Sequence, residues 1–188
     1  MVSYIRLKRE VIQHELGHWV TARHHETYTD HIEISRDGKI YYGHCNLFIF
    51  PKFHSIDDAR KLIESRIRTL MAGAAEQLID RDDANWSCVM EIFHSNGSDD
   101  FAKINEYISF VSGFDPSNFM DKENTNEIYN NLFKKYWIET ENIIKRNAEA
   151  IRGIRDYIIS RLDNNLKTIS FSTQELVSQL AENPTFPR

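Results

Sequence analysis

The sequence has 188 residues, 41% of them hydrophobic and 27% charged, which is enough for the core of one globular domain. A net charge of −5 and a pI near 5.9, with no basic stripe, argue against a nucleic-acid-binding protein. Two cysteines, Cys45 and Cys88, are too few for a disulfide framework, and no apolar run approaches the roughly 20 residues of a membrane-spanning helix. We therefore expect a soluble, cytoplasmic protein.

The first half of the chain predicts two long helices separated by a β-hairpin. Apolar residues recur with helical spacing from residue 3 to about residue 26, with Ser3 as the expected N-cap. Alternating apolar residues on both sides of Asp37-Gly38 predict two short strands. A capping box that begins at Ser55 precedes a second apolar helical face, which ends at about Ile79.

The second half of the chain predicts further helices. Helical patterns cover residues 85–94, a segment that opens at Asp99-Asp100, and residues 127–162, where we expect one break near Thr140. A β-prone piece at residues 168–171 precedes a last helix through Leu180. The whole predicts one compact, mainly α-helical domain with a small antiparallel hairpin. Residues 1–120 form its core and residues 121–188 a C-terminal helical portion that packs on it.

The first helix carries the string His14-Glu15-Leu16-Gly17-His18. Helical residues four apart lie one above the other, so both imidazoles can face one ion while Glu15 lies on the adjacent flank. This arrangement suits a catalytic zinc ion, which lowers the pKa of water toward about 7 while a glutamate accepts the proton. Chance produces such a string in roughly a few per cent of chains like this one. Because the histidines lie off the apolar stripe of the helix, the motif favours zinc-dependent hydrolysis.

Spacing alone leaves the third metal ligand open. His24 lies ten residues after His14, but a continuing helix rotates it roughly 80° away. Glu76 lies on the second long helix, where it can equally be a solvated carboxylate or support another ligand. Asp99 and Asp100 open a helix, a place where aspartate also serves as a cap.

A different kind of site is also compatible with the sequence. Glu15-x-x-His18 and Glu91-x-x-His94 are two E-x-x-H pairs, as di-iron carboxylate bundles use. In those bundles, each such helix alternates with a helix that gives a lone glutamate. Here a hairpin follows the first pair, and His14 would have no role in a di-iron site. We therefore regard this interpretation as the weaker one.

The order of these motifs resembles the peptidase domain of the FtsH-type ATP-dependent zinc metalloproteases over nearly the whole chain. Residues 14–18 resemble the family's H-E-A-G-H, residues 70–79 its L-x-G-G-R-A-A-E-E-L-I, and residues 97–101 its A-S-N-D-L. The resemblance implies a zincin-type fold in which His14, His18 and Asp100 hold one zinc ion. It also implies Glu15 as the general base and acid, and an edge strand within residues 40–47 that binds an extended peptide through its backbone.

The departures from the family also bear on function. Met71-Ala72-Gly73 replaces its Gly-Gly-Arg, and residues 79–96 form a longer stretch, which leaves the roles of Glu76, Glu91 and His94 open. The sequence contains no G-x-x-x-x-G-K-[ST] phosphate loop, so we expect a peptidase that acts on flexible or unfolded polypeptides without its own ATPase. The competing expectation is a catalytically silent zinc-binding regulatory module of the same fold.

Overall fold

A computed structural model of the chain describes residues 8–49, 53–114, 125–162 and 167–179. In chain order, its elements are α1 (Lys8–His24), β1 (Tyr28–Asp37), β2 (Ile40–Phe48), α2 (Ile56–Leu78), α3 (Trp86–His94), α4 (Ser98–Ser112), α5 (Thr125–Arg146), α6 (Ala148–Arg161), β3 (Thr168–Ser172) and α7 (Thr173–Ser178). The mainly helical architecture with a small antiparallel sheet is therefore confirmed. Within these ranges, no helix combines the length and apolar character needed to cross a membrane.

The predicted hairpin forms two strands of a three-stranded antiparallel sheet with the order β2-β1-β3, in which β1 is central. A two-residue loop joins β1 to β2, and its first residue, Gly38, has a φ of 60° that favours glycine. The β-prone piece predicted at residues 168–171 is confirmed as the third strand, but the sequence did not predict its pairing along the other side of β1, with Ile34 opposite Ile169. In the described part of the sheet, β2 is consequently an edge strand.

Helix α1 is buried along most of its length between the sheet and α2. Ile12, Leu16 and Trp19 are fully buried, and each such side chain stabilises the fold by roughly 1.5–3 kcal/mol. The two helices pack closely because Gly17 has no side chain: a Cβ there would overlap the carbonyl group of Ala72. This close packing brings the histidine motif of α1 against the C-terminal half of α2.

Local signals predicted the helix starts well. Ser55 Oγ accepts a hydrogen bond from the backbone N–H of Asp58 at 3.1 Å, which confirms the predicted cap of α2. Asn85 caps α3 by accepting from the N–H groups of Ser87 and Cys88. The expected cap Ser3 and the expected helix end at Leu180 lie outside the described residues.

The predicted break near Thr140 is wrong. Thr140 lies inside α5. Its hydroxyl donates to the carbonyl of Tyr136 at 2.7 Å, so the polar side chain is hydrogen-bonded within the helix. The break falls at Asn147, between α5 and α6. The side-chain amide of Asn147 donates to the carbonyl of Ile143 at 2.8 Å. Helix α5 packs on α2 and α6 on α1, in the same hydrophobic cluster. The boundary at residue 120 stays a prediction.

Candidate metal centre

Three side chains that the sequence proposed as metal ligands converge between α1 and the start of α4. His14 Nε2 lies 2.9 Å from Asp100 Oδ2, and His18 Nε2 lies 3.1 Å from the same oxygen. One ligand atom from each residue falls within 4.8 Å of the other two. Among the described residues, this is the one group of histidine, cysteine or carboxylate side chains with the spacing of a metal site.

His18 is oriented by the backbone of α2. Its Nδ1–H donates to the carbonyl oxygen of Thr69 at 2.7 Å, in a buried position. In a neutral imidazole, this hydrogen bond from Nδ1–H fixes the tautomer and leaves the lone pair on Nε2, the atom that lies beside Asp100. The Thr69 hydroxyl donates to the carbonyl of Ser65 one turn earlier at 2.9 Å. Helix α2 thus supports the first ligand through its backbone.

His14 is oriented by a side chain instead. Gln77 Nε2 lies 2.9 Å from His14 Nδ1 and donates to the Gly73 carbonyl at 3.2 Å. In a neutral His14 that binds a metal through Nε2, the Nδ1–H is a donor, and Gln77 accepts from it only if its amide turns by 180° and gives up the hydrogen bond to Gly73. Gly73 makes room for the ring, since a Cβ at this position would lie 2.6 Å from His14 Nδ1. The backbone of α2 can therefore approach this ligand closely.

The charges in the centre are strongly coupled. Burial opposes the ionised form of Asp100, but the adjacent His18 and His14 outweigh it and hold the pKa of that carboxyl well below its usual range. Burial likewise lowers the pKa of His18, yet the charge and hydrogen bond of Asp100, aided by Glu15, raise it to about 9. In the described arrangement, the carboxylate therefore acts as the counter-ion of His18 and also contacts His14 Nε2.

Glu15 lies beside this group in a cleft of about 340 Å³. Its side chain is only 8% exposed, and it packs against β2 at Gly43. A Cβ at Gly43 would lie 2.7 Å from Glu15 Oε1, so the missing side chain lets the edge strand run directly past the carboxylate. The cleft thus combines the ligand group, a carboxylate and an edge strand in one place.

The other candidates for the third ligand lie elsewhere. His24 is exposed at the end of α1, where its ring contacts that of His25 edge-on. Glu76 is fully buried on another side of α2, with Oε1 3.8 Å from Arg155 Nη1. Asp99 lines the cleft but is exposed, whereas Asp100 points at the histidines. The geometry therefore distinguishes Asp100 from the other candidates, which the spacing alone left open.

The structure does not bring the two E-x-x-H pairs together. Glu91 and His94 are both exposed on α3, and the ring of His94 contacts Phe101. Neither residue lines the cleft that contains Glu15 and His18. In the described residues, the arrangement of a di-iron bundle is consequently not formed.

Sequence reasoning missed four residues that shape the centre: Thr69, Gln77, Gly43 and Gly73. Thr69 acts through its carbonyl, which any residue would offer, and the two glycines act through the absence of a side chain, so their types gave no signal. Gln77 follows Glu76 in the segment that resembles the family's Ala-Ala-Glu-Glu, which could have drawn attention to it. The sequence matches no model of a known protein family and no curated protein.

Proposed function

We propose that the chain is a zinc-dependent metallopeptidase of the HExxH type, with a zincin-type site similar to that of the FtsH peptidase domain. The observation that carries the proposal is the convergence of His14 Nε2, His18 Nε2 and Asp100 Oδ2 within 4.8 Å, in the cleft that Glu15 lines. A group that served only to stabilise the fold would need neither an open cleft nor a second carboxylate beside it.

The donor set fits zinc. Two neutral imidazoles and one carboxylate are three of the four ligands of a catalytic zinc site, in which water or substrate takes the fourth position. The contact of His18 with Thr69 leaves Nε2 as the coordinating atom, and Gln77 can do the same for His14. The same donor set also suits iron(II), so the identity of the metal is part of the test.

Glu15 carries the proton transfers of the proposed reaction. When bound, zinc supplies a water of lowered pKa and polarises the carbonyl that is attacked. Glu15 accepts the proton of that water and returns it to the nitrogen of the leaving amine, so the peptide bond breaks with no net change in the protonation of the enzyme. Its small exposure and its contact with β2 at Gly43 hold the carboxylate beside the cleft.

Strand β2 is the proposed binding strand for the substrate. It is an edge strand, and its residues 43–47 line the cleft, so a peptide can add alongside it through backbone hydrogen bonds. Only an extended segment can pair in this way, which favours flexible or unfolded polypeptides as substrates. Backbone recognition also tolerates many side-chain sequences.

The test is Glu15→Gln, which keeps the shape of the side chain and removes its basicity. We expect the variant to keep one zinc per chain and to lose casein and peptide cleavage by at least about 100-fold, the usual contribution of a positioned base. Glu10→Gln is the matched control, because Glu10 lies on the same helix and lines the same cleft. It should retain most of the activity.

Metal analysis of the purified wild type completes the test. Zinc at one per chain together with cleavage that depends on Glu15 supports the proposal. Zinc without any cleavage favours the regulatory module of the same fold, and iron or no metal rejects a zinc enzyme. Full activity of Glu15→Gln would reject the role of this residue.

A further inference from the structure

The cleft contains a half-buried cation that the metal centre does not use. Arg66 lies on α2, one turn before Thr69, and lines the same cleft as the ligand group. Its Nε and Nη1 atoms are shielded from solvent and have no hydrogen-bond partner, and no carboxylate of the described residues pairs with it. Donor atoms that are shielded from water and unpaired are costly, so a ligand that pairs them with a negatively charged group gains correspondingly.

The neighbouring arginine on the same helix differs in this respect. Arg68 donates to Glu139 at 2.7 Å and to Glu64 at 3.3 Å, so its charge is satisfied within the protein. In the cleft itself, Lys103 is a second cation, but it is exposed on α4. Arg66 therefore combines two shielded, unpaired donor atoms with a position in the open cleft.

Arg66 lines the same cleft as Cys45 of β2. Burial and the Glu15 carboxylate raise the pKa of the Cys45 thiol, while the positive charge of Arg66 opposes them, so this thiol lies near both groups. Gly43, two residues earlier on the same face of the strand, contacts Glu15. Arg66 and this part of the strand proposed to bind the substrate therefore line one cleft.

We propose that Arg66 binds a carboxylate of the substrate peptide. Its planar guanidinium offers two parallel N–H donors, which match the two oxygens of a carboxylate. That carboxylate belongs either to an acidic side chain within a longer chain or to the C-terminus, in which case the enzyme releases short C-terminal peptides. This inference rests on the proposed peptidase function and narrows its substrate class.

The experiment compares peptides that differ only in that charge. One arm scans Glu against Gln at each position around the cleavage site, and the other compares a free C-terminal acid with its amide. For one of the two arms, we expect kcat/KM of the wild type to favour the carboxylate by about 10- to 100-fold, as for hydrogen bonds to charged groups. In Arg66→Gln, that preference should fall to about twofold or less, while cleavage of the neutral peptide changes little.

Two further variants distinguish a specific contact with Arg66 from a general effect of positive charge in the cleft. Arg66→Lys retains the charge without the planar fork and should keep only part of the preference. Lys103→Gln removes one positive charge from the same cleft and should leave the preference intact. An equal loss in Lys103→Gln and Arg66→Gln would overturn a direct contact with Arg66.

A binding measurement makes the result independent of turnover. Calorimetry of the same peptides with the Glu15→Gln protein should show tighter binding of the carboxylate form, lost when Arg66→Gln is added. Cleavage by the wild type without any preference overturns the inference and leaves the peptidase proposal intact. If binding of the carboxylate form depends on Arg66 but the wild type cleaves no peptide, the inference about Arg66 stands and the peptidase proposal fails. Absence of both effects overturns the inference.

Discussion

Two buried charged centres lie on different sides of the C-terminal half of α2. On one side, Gln77 contacts His14 beside Asp100. On the other side, Glu76, the neighbour of Gln77 in sequence, faces Arg155, which donates to Asp80 at 2.7 Å. Both centres place a carboxylate near cationic groups, yet only the first directs several donor atoms at one position. Convergence of donor atoms, rather than burial of a carboxylate, distinguishes a candidate metal centre from an ion cluster.

The Glu76 centre has the properties of a structural contact between helices. Burial raises the pKa of Glu76 to about 8, against the opposing effect of Arg155, because its side chain is completely removed from solvent. Arg155 comes from α6 and Asp80 from the residues after α2, so the cluster ties α6 to this end of α2. Substitutions in the candidate metal centre should therefore affect metal binding and activity, whereas a substitution of Glu76 should affect stability.

Asp100→Asn should have the largest effect. The amide keeps the size of the side chain but loses the negative charge that the two histidines face. We expect loss of bound zinc and a fall in kcat/KM of about 1,000-fold or more, because several kcal/mol of transition-state stabilisation disappear with the metal. Zinc content and peptide cleavage measure both effects.

Asp99→Asn is the matched control for this prediction. Asp99 is the preceding residue of the same helix turn and is exposed at the edge of the cleft. It should retain zinc and most of the activity. Loss of zinc in Asp99→Asn but not in Asp100→Asn would move the ligand by one residue.

Glu76→Gln should change stability and its pH dependence while zinc remains bound. The raised pKa of Glu76 in the folded state means that its stabilising contribution is complete below about pH 4.5 and is lost as the pH rises through about 8. Gln has no such titration. Urea unfolding should therefore show the variant gaining on the wild type between pH 5 and pH 8, by on the order of a few kcal/mol.

The control for Glu76 is Glu149→Gln, an exposed glutamate in the first turn of α6. Its substitution should change stability by about 0.5 kcal/mol or less. A Glu76→Gln variant that instead loses stability toward pH 8 would mean that the ion pair with Arg155 outweighs the cost of burial. Loss of zinc in this variant would place Glu76 in the metal centre.

The local part of this fold could be predicted from the sequence. The cap at Ser55, the turn at Gly38 and the helical spacing around His14 all depend on neighbours within a few residues. The pairing of β1 with β3 could not, because it joins residues more than 130 positions apart, such as Ile34 and Ile169. Long-range pairing leaves no periodic signal in either segment.

The same distinction applies to the candidate centre. Helical geometry predicts His14 and His18 as ligands. Asp100 follows only from the family resemblance, because spacing alone leaves the third ligand open. Contacts between helices decide which carboxylate faces the histidines and which faces Arg155. The wrong break at Thr140 has a related cause, since the hydrogen bond of its hydroxyl within the helix cannot be read from residue type.

Gly73→Ala tests whether close packing positions His14. The added methyl group would lie 2.6 Å from the imidazole, so the ring or the helix must shift. We expect a loss of about 1–3 kcal/mol in the free energy of unfolding, typical of overpacking, together with weaker zinc binding. Gly153→Ala on α6 is the control, because a Cβ there meets nothing within 4 Å. The control should be neutral or more stable by up to about 1 kcal/mol.

Gln77→Ala should have the smallest effect in this series. It removes the amide that contacts His14 Nδ1 but leaves Thr69, which orients His18 through a backbone carbonyl that no substitution deletes. Loss of such a supporting hydrogen bond typically lowers metal affinity by about 10- to 100-fold, and competition with a chelator measures it. Gln77→Glu should restore much of the affinity, because a carboxylate accepts the Nδ1–H directly. Equal zinc affinity in Gln77→Ala and the wild type would show that Gly73 and the packing of α2 alone orient His14.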